Sequence, residues 1–402
     1  IMQNIRKIKE GVYYVGVNDR RITYFENTHP ISRGMAYNSY VIVDEKTALL
    51  DTIDKAGAQQ FLENLHHVLK GRKLDYLVIN HMEPDHCALI EDVVRNYPQV
   101  ILIGNKKTFE LLHQFYELEI GDRYIEVKEG DTLSLGERTL KFLMAPMVHW
   151  PEVMVTYSDL DKMVFTADAF GTFGALNGNI YADQVDFVGE WLEESRRYYS
   201  NIVGKYGMQT KMMLKKLSTL DLDYICPLHG PIWRDNIDFN LEKYQTWASY
   251  EAEEKGVVIA FGSVYGNTEE AIDVLANRLA ELGVKNIKIH DTTSTDPSYV
   301  ISDIFRYSTL VLASSTYNLS IFPAMNTLIH DLVNHNIQNR HIAIIENGSW
   351  APTSGKQMRE ELAKLKNITF VSDDIITIKS TLKDGQLSAL DALAEAIAKT
   401  VL

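Results

Sequence analysis

The chain has 402 residues, 46% of them hydrophobic and 23% charged, a globular composition that excludes a disordered or fibrous protein and is long enough for two domains. Forty Lys and Arg against 54 Asp and Glu leave a formal net charge of −14, which repels the phosphates that a nucleic-acid binder must neutralise. Two cysteines are too few for a disulfide framework, no run approaches the roughly 18 apolar residues of a membrane span, and no charged-then-apolar leader precedes IMQNIRKIKEGVYYVG, so a cytoplasmic protein without nucleic-acid or membrane partners is expected.

In chain order, GVYYVGV, ITYFEN, SYVIVD and TALLDT read as neighbouring β-strands, and AGAQQFLENLHHVLKG reads as a helix that stops at Gly71. The strand LDYLVIN leads into HMEPDHC and a further helix. VILIGN, TLKFLMAP, MVTYS and DKMVFTAD are strands, and a long helical region follows over 186–217. This mixture predicts an α/β architecture in which residues 1–250 form an αββα sandwich. The charged YEAEEKG at 250–256 reads as a joint. Beyond it GVVIAFG, NIKIHD, TLVLASS, HIAIIEN and ITFVSDD each precede a helical segment, which predicts a doubly wound parallel sheet over 251–402. Its first helix, TEEAIDVLANRLAELG, sets Ile272, Leu275, Leu279 and Leu282 on one apolar face.

The motif after LDYLVIN carries chemistry. His81, Glu83 and Asp85 are spaced two apart and lean to one side in an extended or loop conformation, and Pro84 disfavours a helical backbone at Glu83. With His86 beside them, desolvating so many polar groups without a cation is costly, so the cluster reads as a metal site rather than as ordinary surface or core residues. His149 in APMVHWP, Asp168 in FTADAF and His229 in CPLHGP each follow an apolar run. This order resembles the two-metal sites of the metallo-β-lactamase superfold. Hydrolases of that superfold carry a histidine where this chain has Glu83. A carboxylate there makes the site harder and more anionic, which favours iron or manganese over zinc and points to redox work. Asp168 is placed to bridge two ions.

In the second half, AFGSVYGNTEEA puts Ser263, Val264, Tyr265, Gly266, Asn267 and Thr268 at a helix N-terminus, where hydroxyls and free N–H groups can cradle a phosphate. Ligands of such sheets bind outside the carboxyl ends of the strands. Two further strand ends supply Ser315, Thr316, Tyr317 and Asn318, then Asn347, Gly348, Ser349 and Trp350. Tyr317 and Trp350 are placed to lie against a flat ring system, so the pattern predicts a flavodoxin-like FMN site, the alternative being a regulatory domain with ordinary loops.

Both halves together resemble the flavodiiron proteins, in which a metallo-β-lactamase-like domain with a non-haem diiron site precedes a flavodoxin-like FMN domain. The resemblance implies that His81, Glu83 and His149 bind one iron, that Asp85, His86 and His229 bind the other, and that Asp168 bridges them. It implies FMN contacts from the three segments just named, and reduction of dioxygen to water, of nitric oxide to nitrous oxide, or both. It also implies electrons from rubredoxin or a similar external donor, no donor module being expected after the second domain, and a head-to-tail homodimer or dimer of dimers. In some relatives water displaces the histidine matching His86, and some place a histidine where this chain has Glu26. The proton donor is therefore left open, with Tyr198 or Tyr199 as candidates. Cys87 and Cys226 are expected to be buried and structural. The competing readings are a zinc hydrolase fused to a flavin-binding domain, with Glu83 as a base on bound water, and an electron carrier with a vestigial metal site.

Overall fold

The computed structural model describes residues 3–402. It divides into two compact units, one of Ile1–Tyr199 with Met208–Gln245, the other of Ser200–Gly207 with Thr246–Leu402. In the first unit a seven-stranded sheet follows chain order: Arg6–Lys9, Val12–Tyr14, Tyr40–Val43, Thr47–Leu50, Tyr76–Val78, Ile101–Gly104 and Tyr124–Glu126. Neighbours pair antiparallel as far as Thr47–Leu50 and parallel beyond it. The change requires crossovers. One is the helix Ala58–Leu69, which buries Phe61, Leu65, Val68 and Leu69. That helix stops at Lys70, which itself takes the left-handed conformation (φ 50°), one residue before the expected Gly71.

A second sheet of the same unit orders Thr132–Ser134, Thr139–Met144, Met154–Ser158, Met163–Phe165 and Tyr224–Cys226, the last two parallel. The expected helical region between them is real but broken. Wide turns at Phe187–Trp191 and Tyr199–Val203 and a tight one at Gly204–Tyr206 interrupt the α-helices Leu192–Tyr198 and Gly207–Leu217. Two expected strands are also shorter than the sequence suggests. GVYYVGV splits into Val12–Tyr14 and Val17–Asp19, and ITYFEN keeps only Tyr24–Phe25, in a small hairpin with His29–Pro30. Glu26 and Asn27 both adopt positive φ, 51° and 53°, which ends the strand.

The second unit is a parallel sheet ordered Ile287–Asp291, Glu254–Gly262, Tyr307–Tyr317, Arg340–Asn347 and Ile368–Phe370. Its first strand begins inside the presumed joint, because Glu254 pairs with Tyr307 in the ladder and holds Arg306 at 2.6 Å. The fifth expected strand ends at Phe370, and Ile376–Ile378 continues the sheet edge against Arg340–Asn347. On one face Ile272, Leu275 and Leu279 of the helix Asn267–Glu281 share a core with Leu390, Leu393 and Ile397 of the helix Leu387–Val401. Leu282 does not join them. The helix ends at Glu281, and Leu282 is 40% exposed. Both cysteines are free and buried. Among the described residues, no helix is long and apolar enough to cross a membrane.

Arg340, 1% exposed, holds part of this unit together without a carboxylate. Its guanidinium donates to the carbonyls of Ile304, Phe305, Tyr250, Gln338 and Asn339 at 2.5–3.3 Å. A buried acceptor left without a donor costs about 1–3 kcal/mol. Arg340→Met is therefore expected to lower the unfolding free energy by at least about 2 kcal/mol. Denaturant unfolding checks this, and an unchanged midpoint would show that these bonds are replaceable.

Candidate metal centre and ligand cleft

The site of the first unit lies where strands of both sheets end. His81 and Glu83 follow Tyr76–Val78, His149 follows Thr139–Met144, Asp168 follows Met163–Phe165, and His229 follows Tyr224–Cys226. Glu83 is extended (ψ 141°), in keeping with the proline after it, but Pro84–Cys87 forms a helical turn rather than the expected loop. Pro84 occupies the first position of that turn, where its missing N–H costs nothing. The turn carries Asp85 and His86 inward, and both are buried.

All seven side chains converge. Two groups of donors form, His81, Glu83, His149 and Asp168 in one, and Asp85, His86 and His229 in the other, with donor atoms within 4.8 Å inside each group. Asp168 faces both. Its Oδ2 lies 3.1 Å from His81 Nε2 and 3.0 Å from His149 Nε2. Its Oδ1 lies 2.9 Å from His86 Nε2 and 3.5 Å from His229 Nε2. Glu83 Oε2 closes the first group at 3.2 Å from His81 Nε2 and 3.0 Å from His149 Nε2. Asp85 Oδ2 closes the second at 3.3 Å from His86 Nε2 and 3.2 Å from His229 Nε2. Donors bound to one ion at roughly 2.1 Å stand about 3 Å apart. Several of these atoms are close without being bonded: both Asp85 oxygens, Asp168 Oδ1, His86 Nε2 and His229 Nε2 are buried with no hydrogen-bond partner. Such orphaned atoms fit a cation among Asp85, His86, His229 and Asp168, and the equally close donors of the first group fit a second.

Neighbouring residues hold these side chains in place. Asp51, itself at φ 58°, accepts the N–H of Asn80 at 2.8 Å, the N–H of His81 at 3.2 Å and the Asn80 amide at 2.9 Å. Burial pushes the Asp51 carboxyl up to about 6. Asn80 ties the two sheets of the unit by accepting from Thr156 Oγ1 at 2.7 Å and from Met154 N–H at 3.1 Å. Glu152 accepts from Met82 N–H at 2.7 Å and lies 2.6 Å from His81 Nδ1. Met147, Ala167 and Phe170, each within two residues of His149 or Asp168, adopt positive φ, strain of the kind that collects at functional sites. Gly171 leaves room for close packing, since a Cβ there would stand 2.8 Å from the Asp168 carbonyl. None of Asp51, Asn80 and Glu152 was singled out from the sequence, although Glu152 lies three residues past His149 and Asp51 ends the run TALLD.

Rings wall the pocket. Phe25, Tyr37 and Tyr198 stand 5.5, 5.8 and 5.5 Å from the His229 ring, and Trp150 stands 5.5 Å from His81. The two candidate tyrosines part here: Tyr199 packs on Tyr244 at 4.9 Å, whereas Tyr198 faces the site with a buried hydroxyl that lacks a hydrogen-bond partner. Burial, then the nearby carboxylates, raise the Tyr198 hydroxyl well above its ordinary value, so it keeps its proton. Glu26, from the small hairpin, meets Glu83. Its side chain retains 31% of its surface, yet partial burial and the neighbouring carboxyl push it up to about 9.

In the second unit a cleft of about 320 Å³ opens at the carboxyl ends of the central strands. Ser263, Val264, Tyr265, Asn267, Thr268, Ser315, Thr316, Tyr317, Asn318, Asn347, Gly348, Ser349 and Trp350 line it. Gly266 is off the lining. At φ 98° it makes the turn into the helix Asn267–Glu281, and its N–H donates to Ser263 Oγ at 2.9 Å. The Thr316 hydroxyl accepts from Thr353 and Ser354 N–H at 3.1 and 3.2 Å, so it braces two loops. Tyr265, Tyr317 and Trp350 are 93%, 46% and 71% exposed, leaving ring faces free on the rim. Leu319 and Ser380 also line the cleft. Ser380 arrives from a distant loop, its N–H on Asn347 Oδ1 at 3.1 Å, and no motif in KSTLK announces it.

Residues 35–230 match the model of the ODP family beta lactamase. The nitric oxide reductase of Moorella thermoacetica is 32% identical over 365 residues, covering 89% of this chain and 90% of that one. Among solved structures, the rubredoxin oxygen:oxidoreductase of Desulfovibrio gigas is similar with a TM-score of 0.92 at 27% identity, covering 98% of both chains. The flavodiiron protein of Giardia intestinalis is similar with a TM-score of 0.89 at 26% identity, covering 99% of both.

Before any cation binds, His81, His86 and His149 take up the positive charge. Burial opposes protonation, but Asp168 and Glu83 outweigh it and lift His149 to about 10, while Asp85 and Asp168 lift His86 to about 9. A bound cation must displace these protons. Adding a divalent metal at pH 7 is therefore expected to release protons, with apparent affinity rising as pH climbs toward 9–10. Metal titrations at several pH values check this, and affinity that is flat between about pH 6 and 8 would contradict it.

Proposed function

The chain belongs to the flavodiiron protein family, and from that premise we propose that it reduces dioxygen to water, nitric oxide to nitrous oxide, or both, at a carboxylate-bridged diiron site served by FMN. The observation that carries this reading is Asp168, with one oxygen turned to each donor group. His81, Glu83 and His149 would hold one iron, Asp85, His86 and His229 the other, and Asp168 would serve both. The Nε2 of His86 points at Asp168, which supports its inclusion as a ligand. When bound, two ferrous ions and a two-electron-reduced flavin supply the four electrons that complete reduction of dioxygen takes. Carboxylates in the donor set favour iron over softer-site metals.

The chain's own residues do the rest. Phe25, Tyr37, Trp150 and Tyr198 form apolar walls that admit a small neutral molecule and keep bulk water out. The Tyr198 hydroxyl, which keeps its proton and has no hydrogen-bond partner of its own, can donate a hydrogen bond to an oxygen atom of the substrate. In the second unit the N–H groups and hydroxyls of residues 263–268 would receive the FMN phosphate, and Tyr317 and Trp350 would cover its ring. The family resemblance supports a rubredoxin-like external donor and a head-to-tail homodimer that sets the flavin of one subunit beside the irons of the other.

Purified protein is expected to be yellow with FMN, to contain iron, and, reduced without air, to consume at least one of the two gases over multiple turnovers. Zinc alone in the fully loaded protein, with both gases untouched, would overturn the reading. Tyr198→Phe is expected to lower the turnover rate by about tenfold or more at unchanged iron and flavin content. An unaltered rate would show that this hydrogen bond is dispensable.

A further inference from the structure

The two donor groups each hold a carboxylate of their own and share Asp168, yet what stands behind their imidazoles differs. His81 turns its Nδ1 to Glu152 Oε1 at 2.6 Å. Glu152 is fully buried, and the same oxygen accepts the Met82 N–H at 2.7 Å. Across the pocket, His229 turns its Nδ1 to a neutral acceptor, the Ala36 carbonyl, at 2.7 Å. The Nδ1 of His86 is buried and has no hydrogen-bond partner. A carboxylate behind a metal-bound imidazole fixes the tautomer that presents Nε2 and makes that nitrogen a stronger donor, whereas a carbonyl does so weakly and an absent partner not at all.

We propose that Glu152 is a positioning residue that makes the two metal sites unequal, so that the ion on His81, Glu83 and His149 is held more tightly than the ion on Asp85, His86 and His229. The inference rests on the diiron reading above. Glu152 acts through His81 and touches neither ion nor substrate. Its placement is economical in chain terms, because the loop that supplies His149 also grips His81, and Asn105 Nδ2 anchors the Glu152 carbonyl at 2.7 Å.

Iron release into excess chelator, followed without air on the loaded protein, tests this. Two phases of equal amplitude are expected from the unmodified protein. Glu152→Gln keeps the shape and an acceptor oxygen but removes the charge, and is expected to speed the slow phase about 10–100-fold while leaving the fast phase alone. A protein emptied of its first iron should show the spectrum of one ion on the donors His81, Glu83, His149 and Asp168, and that spectrum should shift in the variant. One release phase from the unmodified protein overturns the inference even if the variant fails to fold, as does a variant in which both phases move together or neither moves. Either result leaves the diiron reading standing. A protein that never takes up two irons removes that reading and this inference with it.

Discussion

Seven buried carboxylate and imidazole groups crowd into two touching clusters, and this crowding is the constraint on which the first unit depends. The charges involved could not share so small an apolar volume without something positive among them, since an uncompensated buried ion costs several kcal/mol. In the metal-free chain, protons on His81, His86 and His149 fill that role. Two cations would fill it too, each facing four donors at once.

The fold meets this constraint by ending strands of two sheets at one place. Hydrogen bonds in the strands hold the backbones rigid up to the last pleat, and His81, His149, Asp168 and His229 sit three to five residues beyond. Asn80, between Asp51 on one side and Thr156 on the other, locks the ends together. The second unit uses the same device with different side-chain chemistry. Its parallel strands end at a common edge, and the loops beyond them carry hydroxyls, amides and exposed rings instead of charges.

Much of this was legible along the chain. A ligand type following an apolar run marks a strand end, and repeating that mark at 81–86, 149, 168 and 229 outlines a site before any fold is known. Alternation of strand and helix after 256 likewise outlines the sheet of the second unit. Local errors had local causes. Pro84 bars a helical backbone for the residue before it but starts a helical turn after it, so Asp85 and His86 came in on a helix. Leu282 fits the helical period, yet the helix ends before it. The charged stretch at 250–256 reads as a joint because the first residues of the strand Glu254–Gly262, Glu254 and Lys255, are exposed and charged.

Donor types, their order and the carboxylate at position 83 can be read along the chain, because these are properties of single residues and short spacings. Which oxygen of Asp168 faces which histidines, that Tyr198 rather than Tyr199 turns to the site, and that Glu152 backs His81 while a bare carbonyl backs His229 emerge only in the folded chain. Those pairings join residues 71 and 193 positions apart. They exist only after two sheets have packed, since a side chain's neighbours across a core depend on where distant backbones come to rest.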